Sequence, residues 1–448
     1  CGGETGTISL KLATAPGSDL LADVVTARLT LSIPRREVTA TRDADGKFHL
    51  SIDVAADGPS SNVTFEGLDA GGALVAYGCS GPLPIAAIDA DVAVYVGAPG
   101  TLAAAPVPLD RPRADAGTAD FSFGVLIAGG LDPAGAASAA VDVYDVYSHS
   151  LQRGLDLPAA RRAPTVAPGV TGYAYVFGGD DAAGAPTGTL WRFDTTVSPA
   201  GAYLMLADAP ELARSGAAAT AIRPEGFLVT GAPPQAPAVI DGLTSTVTAL
   251  PATPAMVGTA SSITTADGSS IAAVAGAGTG TSGLAIVTTA GVSDEQAPAG
   301  AARTGHGAAV GDGVVTLVGG AIGDTLATTG VRLELVHRLY SEREAGLATP
   351  RRDAAVAQVG GQILVAGGTD ADGHVLADAE VLDAFTLDHV ATIPLVAART
   401  RATAHALSTG QILLVGGVDA DGAPVGTMEI FTPDPAAFSG GAVACGLQ

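Results

Sequence analysis

Lysine is nearly absent from this chain of 448 residues, occurring only as Lys11 and Lys47. All other fixed positive charge is arginine, and Asp plus Glu outnumber Lys plus Arg 45 to 22, a formal net charge of −23. Phosphate neutralisation needs clustered Lys and Arg, so this balance excludes nucleic acid as a partner. It favours solubility and opposes self-association. Aromatic residues make up only 4% and tryptophan occurs once, as Trp191. No uninterrupted apolar run approaches the ~18 residues that a membrane-spanning helix needs. No long stretch carries a helical period either, which removes the helical fold classes. HExxH, GxSxG and P-loop motifs are missing in usable context, so the sequence offers no compact zinc, serine-nucleophile or nucleotide site. The glycine-rich run Ala275–Gly280 has no helix after it to bind phosphate.

What is present is small and apolar. Hydrophobic residues reach 47%, mostly Ala, Val and Leu, and they are punctuated by 60 Gly and 28 Pro. That composition predicts an all-β chain of many short strands and tight turns. The length allows two or three domains. Residues 1–100 form the first, with predicted strands Thr7–Leu12, Val24–Ile33, Lys47–Val54, Asn62–Leu68, Ala73–Tyr77 and Val92–Val96. Phe48–Val54 alternates apolar and polar residues as a half-buried strand does. Asp45-Gly46, Asp57-Gly58 and Ala70-Gly71-Gly72 mark turns between strands. The pattern predicts a small β-sandwich and resembles immunoglobulin-like or transthyretin-like domains.

Residues 101–448 repeat themselves. An apolar strand ending in small residues recurs as Val125–Gly130, Ala174–Gly179, Thr316–Gly320, Ile363–Gly368 and Ile412–Gly417, with worn copies at Phe227–Gly231 and Ala272–Gly276. Gly129 and Gly178 are 49 residues apart, Gly319 and Gly367 48, and Gly367 and Gly416 49; the interval from Gly178 to Gly319 holds three steps of 47. A period of this size predicts a propeller, here of seven blades with four strands each. Thr101–Pro106 and the tail Phe438–Cys445 are the two candidates for the strand that closes the ring. The glycine pair, a polar loop and then Gly188–Asp194, Val141–Asp145 or Ala379–Asp383 resemble the kelch repeat. The resemblance covers about three quarters of the chain and extends loosely to the propeller of galactose oxidase. Copper chemistry of that kind needs a cysteine near a tyrosine in the propeller, and no cysteine lies between Cys79 and Cys445. No cofactor or metal is expected.

An arginine precedes the glycine position by 16 residues at Arg113, Arg162, Arg214, Arg303 and Arg351, and by 15 at Arg401. In a kelch-like blade this is where the chain enters the innermost strand, so these residues are candidates for a ring at one mouth of the central channel. Two roles are open to them. Guanidinium groups can grip an anion in bidentate fashion, or pair with carboxylates and backbone carbonyls between blades. The second role predicts that Arg162→Ala and Arg303→Ala loosen packing. His306 and His405 follow on the inner strands as further channel candidates. Asp43–Gly46, Asp370–Gly373 and Asp419–Gly422 have the look of calcium loops but are too short for an EF-hand, and are expected to make turns. The loops 131–140, 180–188, 232–238, 277–283, 321–329, 369–378 and 418–426 should share a face with the arginines.

The opening Cys1-Gly2-Gly3-Glu4-Thr5-Gly6 resembles the start of a mature bacterial lipoprotein after its signal peptide is removed. That resemblance implies acylation of Cys1 and anchorage in the outer membrane, facing the periplasm or the cell surface. It leaves Cys79 and Cys445 as one possible disulfide pair, which an exported compartment permits, with two buried free thiols as the alternative. The expected function is a non-catalytic surface lipoprotein whose propeller binds a protein or glycan. A structural subunit of an envelope or extracellular assembly, and a carbohydrate-active propeller enzyme, are the alternatives.

Overall fold

The computed structural model describes the chain except residues 1–4, 8, 44–47, 49–52, 56–59, 84–90, 122, 171, 199, 232–235, 251–255, 266 and 438–448. The described residues contain strands, turns and short 3-10 segments and no α-helix. From Thr101 onward the strands assemble into successive four-stranded antiparallel sheets, the blades of a propeller.

Blade one comprises Gly117–Phe121, Gly124–Ala128, Val141–Asp145 and Ser150–Arg153. Blade two runs from Thr165 to Asp208, blade three from Ala218 to Ala249 and blade four from Thr259 to Asp294. Blade five runs from Thr304 to Glu344 and adds the short strand Thr325–Leu326; blade six runs from Ala355 to Pro394. Blade seven takes Thr403–Ala406, Ile412–Val415 and Glu429–Thr432 from the end of the chain. Its fourth strand is Thr101–Ala104, which pairs antiparallel with Glu429–Thr432. Each innermost strand touches the next around the ring, and Thr403–Ala406 touches Gly117–Phe121 to complete the circle.

Hydropathy explains this radial order. The second strand of each blade is sandwiched between neighbouring blades, so both of its faces must be apolar. Val125–Ala128, Phe227–Val229, Ala272–Ala275, Ile363–Ala366 and Ile412–Val415 are accordingly buried along their whole length. Burying each Val, Leu or Ile contributes roughly 1.5–3 kcal/mol. Outer strands such as Ser150–Arg153 and Leu339–Glu344 carry the polar and charged residues.

Before the ring, Arg36–Thr41, Thr26–Leu31, Val63–Leu68 and Leu74–Cys79 form an antiparallel sheet in that spatial order. Ser9–Ala13 pairs in parallel with Asp91–Tyr95. Val24, Leu29, Phe65, Val94 and Val96 form one core between these two layers, with Leu10 and Leu12 packed against it. Sequence reasoning missed Arg36–Thr41, because only Val38 of this polar edge strand reaches the core. Most of the alternating segment Phe48–Val54 lies outside the described residues.

This N-terminal layer packs against blades one and seven through Tyr95, which shares a core with Val125, Tyr144, Val146 and Leu413. The Tyr95 N–H donates to His149 Nε2 (3.0 Å), and the Tyr144 hydroxyl lies 3.0 Å from His149 Nδ1. Tyr147 donates its hydroxyl to the Pro82 carbonyl (3.1 Å) and accepts from the Ala93 N–H (3.2 Å). Gln411 Nε2 donates to the Tyr95 carbonyl (3.4 Å). These contacts sit at the turns that follow the third strand and precede the second. They therefore lie on the face opposite the glycine pairs.

Nε2 of His149 must be bare to accept from Tyr95, so the ring is neutral, and burial pushes it down to about 4. The unfolded chain returns it to about 6.5 and so binds the extra proton first as pH falls. The stabilisation is complete above pH ~6.5 and is lost as pH drops towards 4, at most about 3 kcal/mol. His149→Gln keeps an acceptor and a donor without titrating. Thermal melts of both proteins between pH 7 and 4 should show a steeper loss in the wild type, and parallel curves would refute the neutral clamp.

Candidate functional site

Every blade but the fourth begins with a lead-in segment that carries an arginine. Arg113 donates Nε to the Gly129 carbonyl (2.8 Å) and Nη1 to Asp142 (2.8 Å). Arg351 donates to the Gly367 carbonyl (3.2 Å) and to Glu380 (2.5 Å). Arg399 donates to the carbonyls of Gly416 (3.1 Å) and Thr427 (2.8 Å) and to Glu429 (2.5 Å). Arg303 reaches the carbonyls of Gly319 (3.0 Å) and Thr329 (2.8 Å), and Arg214 reaches that of Gly231 (3.0 Å). In blade two Arg161 instead stacks on Trp191, 4.6 Å from the ring centroid. Burial pushes Arg303 down to about 10, which still leaves it charged at neutral pH.

The backbone of the same arginine links adjacent blades. The Arg161 carbonyl accepts from Gly130 of blade one (2.8 Å), Arg214 from Gly179 (2.8 Å), Arg351 from Gly320 (2.8 Å) and Arg399 from Gly368 (2.9 Å). The first glycine of each pair makes room for that carbonyl. A Cβ at Gly178 or Gly319 would stand 2.6 Å from the following arginine's oxygen, and φ there is +65° and +67°. The worn blades keep cruder versions, Gly231 to Met256 (3.2 Å) and Ala277 to Arg303 (3.1 Å).

Three expectations need correction. Arg113, Arg214, Arg303 and Arg351 are buried at 2%, 2%, 0% and 0% exposure, so their guanidinium groups face the blade interior and not a channel mouth. Their partners lie within their own blade. Arg162 and Arg401 are exposed, and Arg161 and Arg399 take the buried positions. Counting back 16 residues from the glycine misled because blades two and seven hold one more residue in that interval. The signal that could have resolved it is an acid inside an apolar third strand, 29 residues after Arg113 and Arg351 and 30 after Arg399: Asp142, Glu380 and Glu429.

Two residues after each buried arginine the backbone turns left-handed, at Asp115, Ala163, Gly216, Gly305, Asp353 and Arg401. These positions surround the channel mouth. Arg401 Nη2 meets Asp115 Oδ1 at 3.2 Å across the seam between blades seven and one. Below lies a cavity of about 690 Å³ lined by Thr118, Thr165, Thr259, Thr403, Asp120, His405 and small apolar residues. His405 bridges the same seam, with Nδ1 2.8 Å from Asp120 and Nε2 3.0 Å from Thr118. His306 does not join it. Both its ring nitrogens are buried without a partner among the described residues, and burial pushes it down to about 4.

The loops after the second strands pair with the lead-in segments, as Ala114 with Leu131, Arg162 with Asp180, Arg352 with Thr369 and Thr400 with Val418. Loops and mouth therefore share one face. Asp370 Oδ1 accepts from the N–H groups of Asp372 and His374 (2.9 Å each), and Asp419 does likewise from Asp421 and Ala423 (2.9 Å each). These carboxylates close turns, as the sequence predicts; most of Asp43–Gly46 is outside the described residues. Cys79 is fully buried, while Cys1 and Cys445 lie outside the described residues.

Residues 350–384 match the family model for the Kelch motif. That span holds the arginine, glycine pair and acid of blade six. No curated protein matches the chain. A solved structure titled "Structure of YjhT" is similar at 13% identity, over 72% of this chain and 95% of that one, with a TM-score of 0.48.

Removing Arg351 strands Glu380, which is 1% exposed, so Arg351→Ala should cost about 3–5 kcal/mol. Arg162→Ala should stay within about 0.5 kcal/mol of wild type. Urea unfolding of the two variants checks this, and equal midpoints would overturn the assignment of the buried arginine.

Proposed function

We propose that this kelch-repeat β-propeller is a non-catalytic, lipid-anchored envelope protein whose loop face binds a protein or glycan partner. The observation that carries this reading is the placement of the N-terminal layer. It occupies the ends of blades one and seven on the face opposite the loops. Among the described residues, the N-terminal layer thus leaves the loop face and channel mouth uncovered. Kelch propellers generally serve protein interactions, which supports the choice of a partner. Exposed Arg162, Arg352 and Arg401 at the mouth offer donors, and turns closed by Asp132, Asp181, Asp370 and Asp419 hold the loop tips in one conformation. Ordering those loops in advance lowers the entropic cost of binding.

Acylation at Cys1, outer-membrane placement and a Cys79–Cys445 bridge belong to the same proposal. They rest on the opening sequence and on the pairing that three cysteines leave once the first is acylated. A carbohydrate-active enzyme is the second reading, favoured by the Asp120–His405–Thr118 contacts in the channel. A structural subunit of an envelope assembly is the third.

Crosslinking in intact envelopes, comparing wild type with a variant carrying Arg162→Gln, Arg352→Gln and Arg401→Gln, tests the main reading. The variant should keep its melting temperature and lose the wild type's discrete crosslinked product. An unchanged product would move the contact away from this face. Turnover of a sugar substrate abolished by His405→Gln would replace binding by catalysis. Exclusive recovery in one large detergent-stable complex would favour the structural subunit.

A further inference from the structure

The seven seams of the ring are not built alike. At six of them an N–H at the end of one blade's second strand donates to a carbonyl of the next blade, that of the arginine at five and that of Met256 at the sixth. Between blades seven and one no such bond forms among the described residues. A Cβ at Gly416 would stand 3.7 Å from the Arg113 carbonyl oxygen, against 2.8 Å, 2.6 Å and 2.6 Å from Gly129, Gly178 and Gly319 to the oxygens of the arginines that follow them. This seam is therefore wider. The left-handed turns at the mouth repeat the contrast. At three other seams one turn bonds to the next: the Gly216 N–H donates to the Ala163 carbonyl (2.9 Å), Asp353 to Gly305 (2.7 Å) and Arg401 to Asp353 (2.9 Å). Among the described residues the Asp115 N–H makes no such bond to Arg401, and the two side chains meet instead.

Side-chain contacts hold the closing seam on this side. Arg401 meets Asp115, His405 lies between Asp120 and Thr118, and Thr118 donates its hydroxyl to Thr403 (3.1 Å). The Arg401 side chain is 51% exposed and that of Asp120 67%. Water screens such ties, so each contributes little. Away from the mouth the same seam is firm. Val125 and Tyr144 of blade one and Leu413 of blade seven share an apolar core with Tyr95 of the N-terminal layer. A dry core behind and weak, wet ties in front are the parts of a hinge. The groups that tie the seam, Asp115, Thr118, Asp120, Thr403 and His405, also line the channel cavity.

We propose that the ring opens at the seam between blades seven and one, on its mouth side, pivoting on the N-terminal layer and baring the channel cavity from the side. The inference does not depend on the partner proposed for the loop face.

Pulsed electron spin resonance on the full chain tests this gate. Spin labels at Ala134→Cys and Ala420→Cys sit on exposed loop tips of blades one and seven. The pair Ala371→Cys and Ala420→Cys spans the seam between blades six and seven as a control. The unsubstituted chain, labelled alike, gives the background from the native cysteines. The closing-seam pair should show a second, longer distance that the control pair lacks. Asp115→Asn with Asp120→Ala removes both carboxylates, and asparagine tolerates the left-handed backbone at 115. This variant should raise the ratio of long to short distances about tenfold and leave the control pair unchanged. A long-distance fraction that the variant fails to raise, or one that rises at both seams alike, would overturn the gate. The variant leaves Arg162, Arg352 and Arg401 in place, so the reading of the loop face can fail without this one.

Discussion

A propeller blade cannot bury its own faces, and at five of the seven seams the contact that ties one blade to the next runs through one arginine. Its guanidinium closes its own blade by gripping the carbonyl at the end of the second strand. Its backbone carbonyl receives an N–H from the glycine pair of the blade before. One residue thus serves two interfaces at once. The glycines follow from it, because a side chain at Gly319 would collide with the carbonyl of Arg351. The acids follow too, because a buried guanidinium needs compensation, which Asp142, Glu380 and Glu429 supply. Blades two, three and five show what happens where the arginine has no acid. Stacking on Trp191, or bonds to carbonyls and threonine hydroxyls, take its place.

The propeller was legible in the sequence because the signal is repeated. The apolar second strand and its glycines recur at a near-constant interval, and their burial leaves few other residues acceptable. The arginine positions were legible only to within two residues. Doublets such as Arg161-Arg162 and near pairs such as Arg399 and Arg401 cannot be separated by counting when loop length varies by one. The acid on the third strand would have separated them, since a charge flanked by buried Val141 and Val143 demands a partner.

The N-terminal layer is more than an appendage. Tyr95 sits in the same core as the second and third strands of blade one, and His149 is buried against it as a neutral acceptor. The layer also covers the turn that carries Gln411, whose amide reaches both Tyr95 and Thr432. It therefore braces the blade in which the two ends of the ring meet.

That meeting has a consequence for biogenesis. Thr101–Ala104 is made early but finds its partner, Glu429–Thr432, only when almost the whole chain has emerged. Until then the ring stays open, with buried strands such as Val125–Ala128 lacking a neighbour on one side. Loop closure over so long an interval is slow relative to local hairpin formation. A chain of this design spends its synthesis as an unsealed arc, whose apolar flanks are covered only when its final strand arrives.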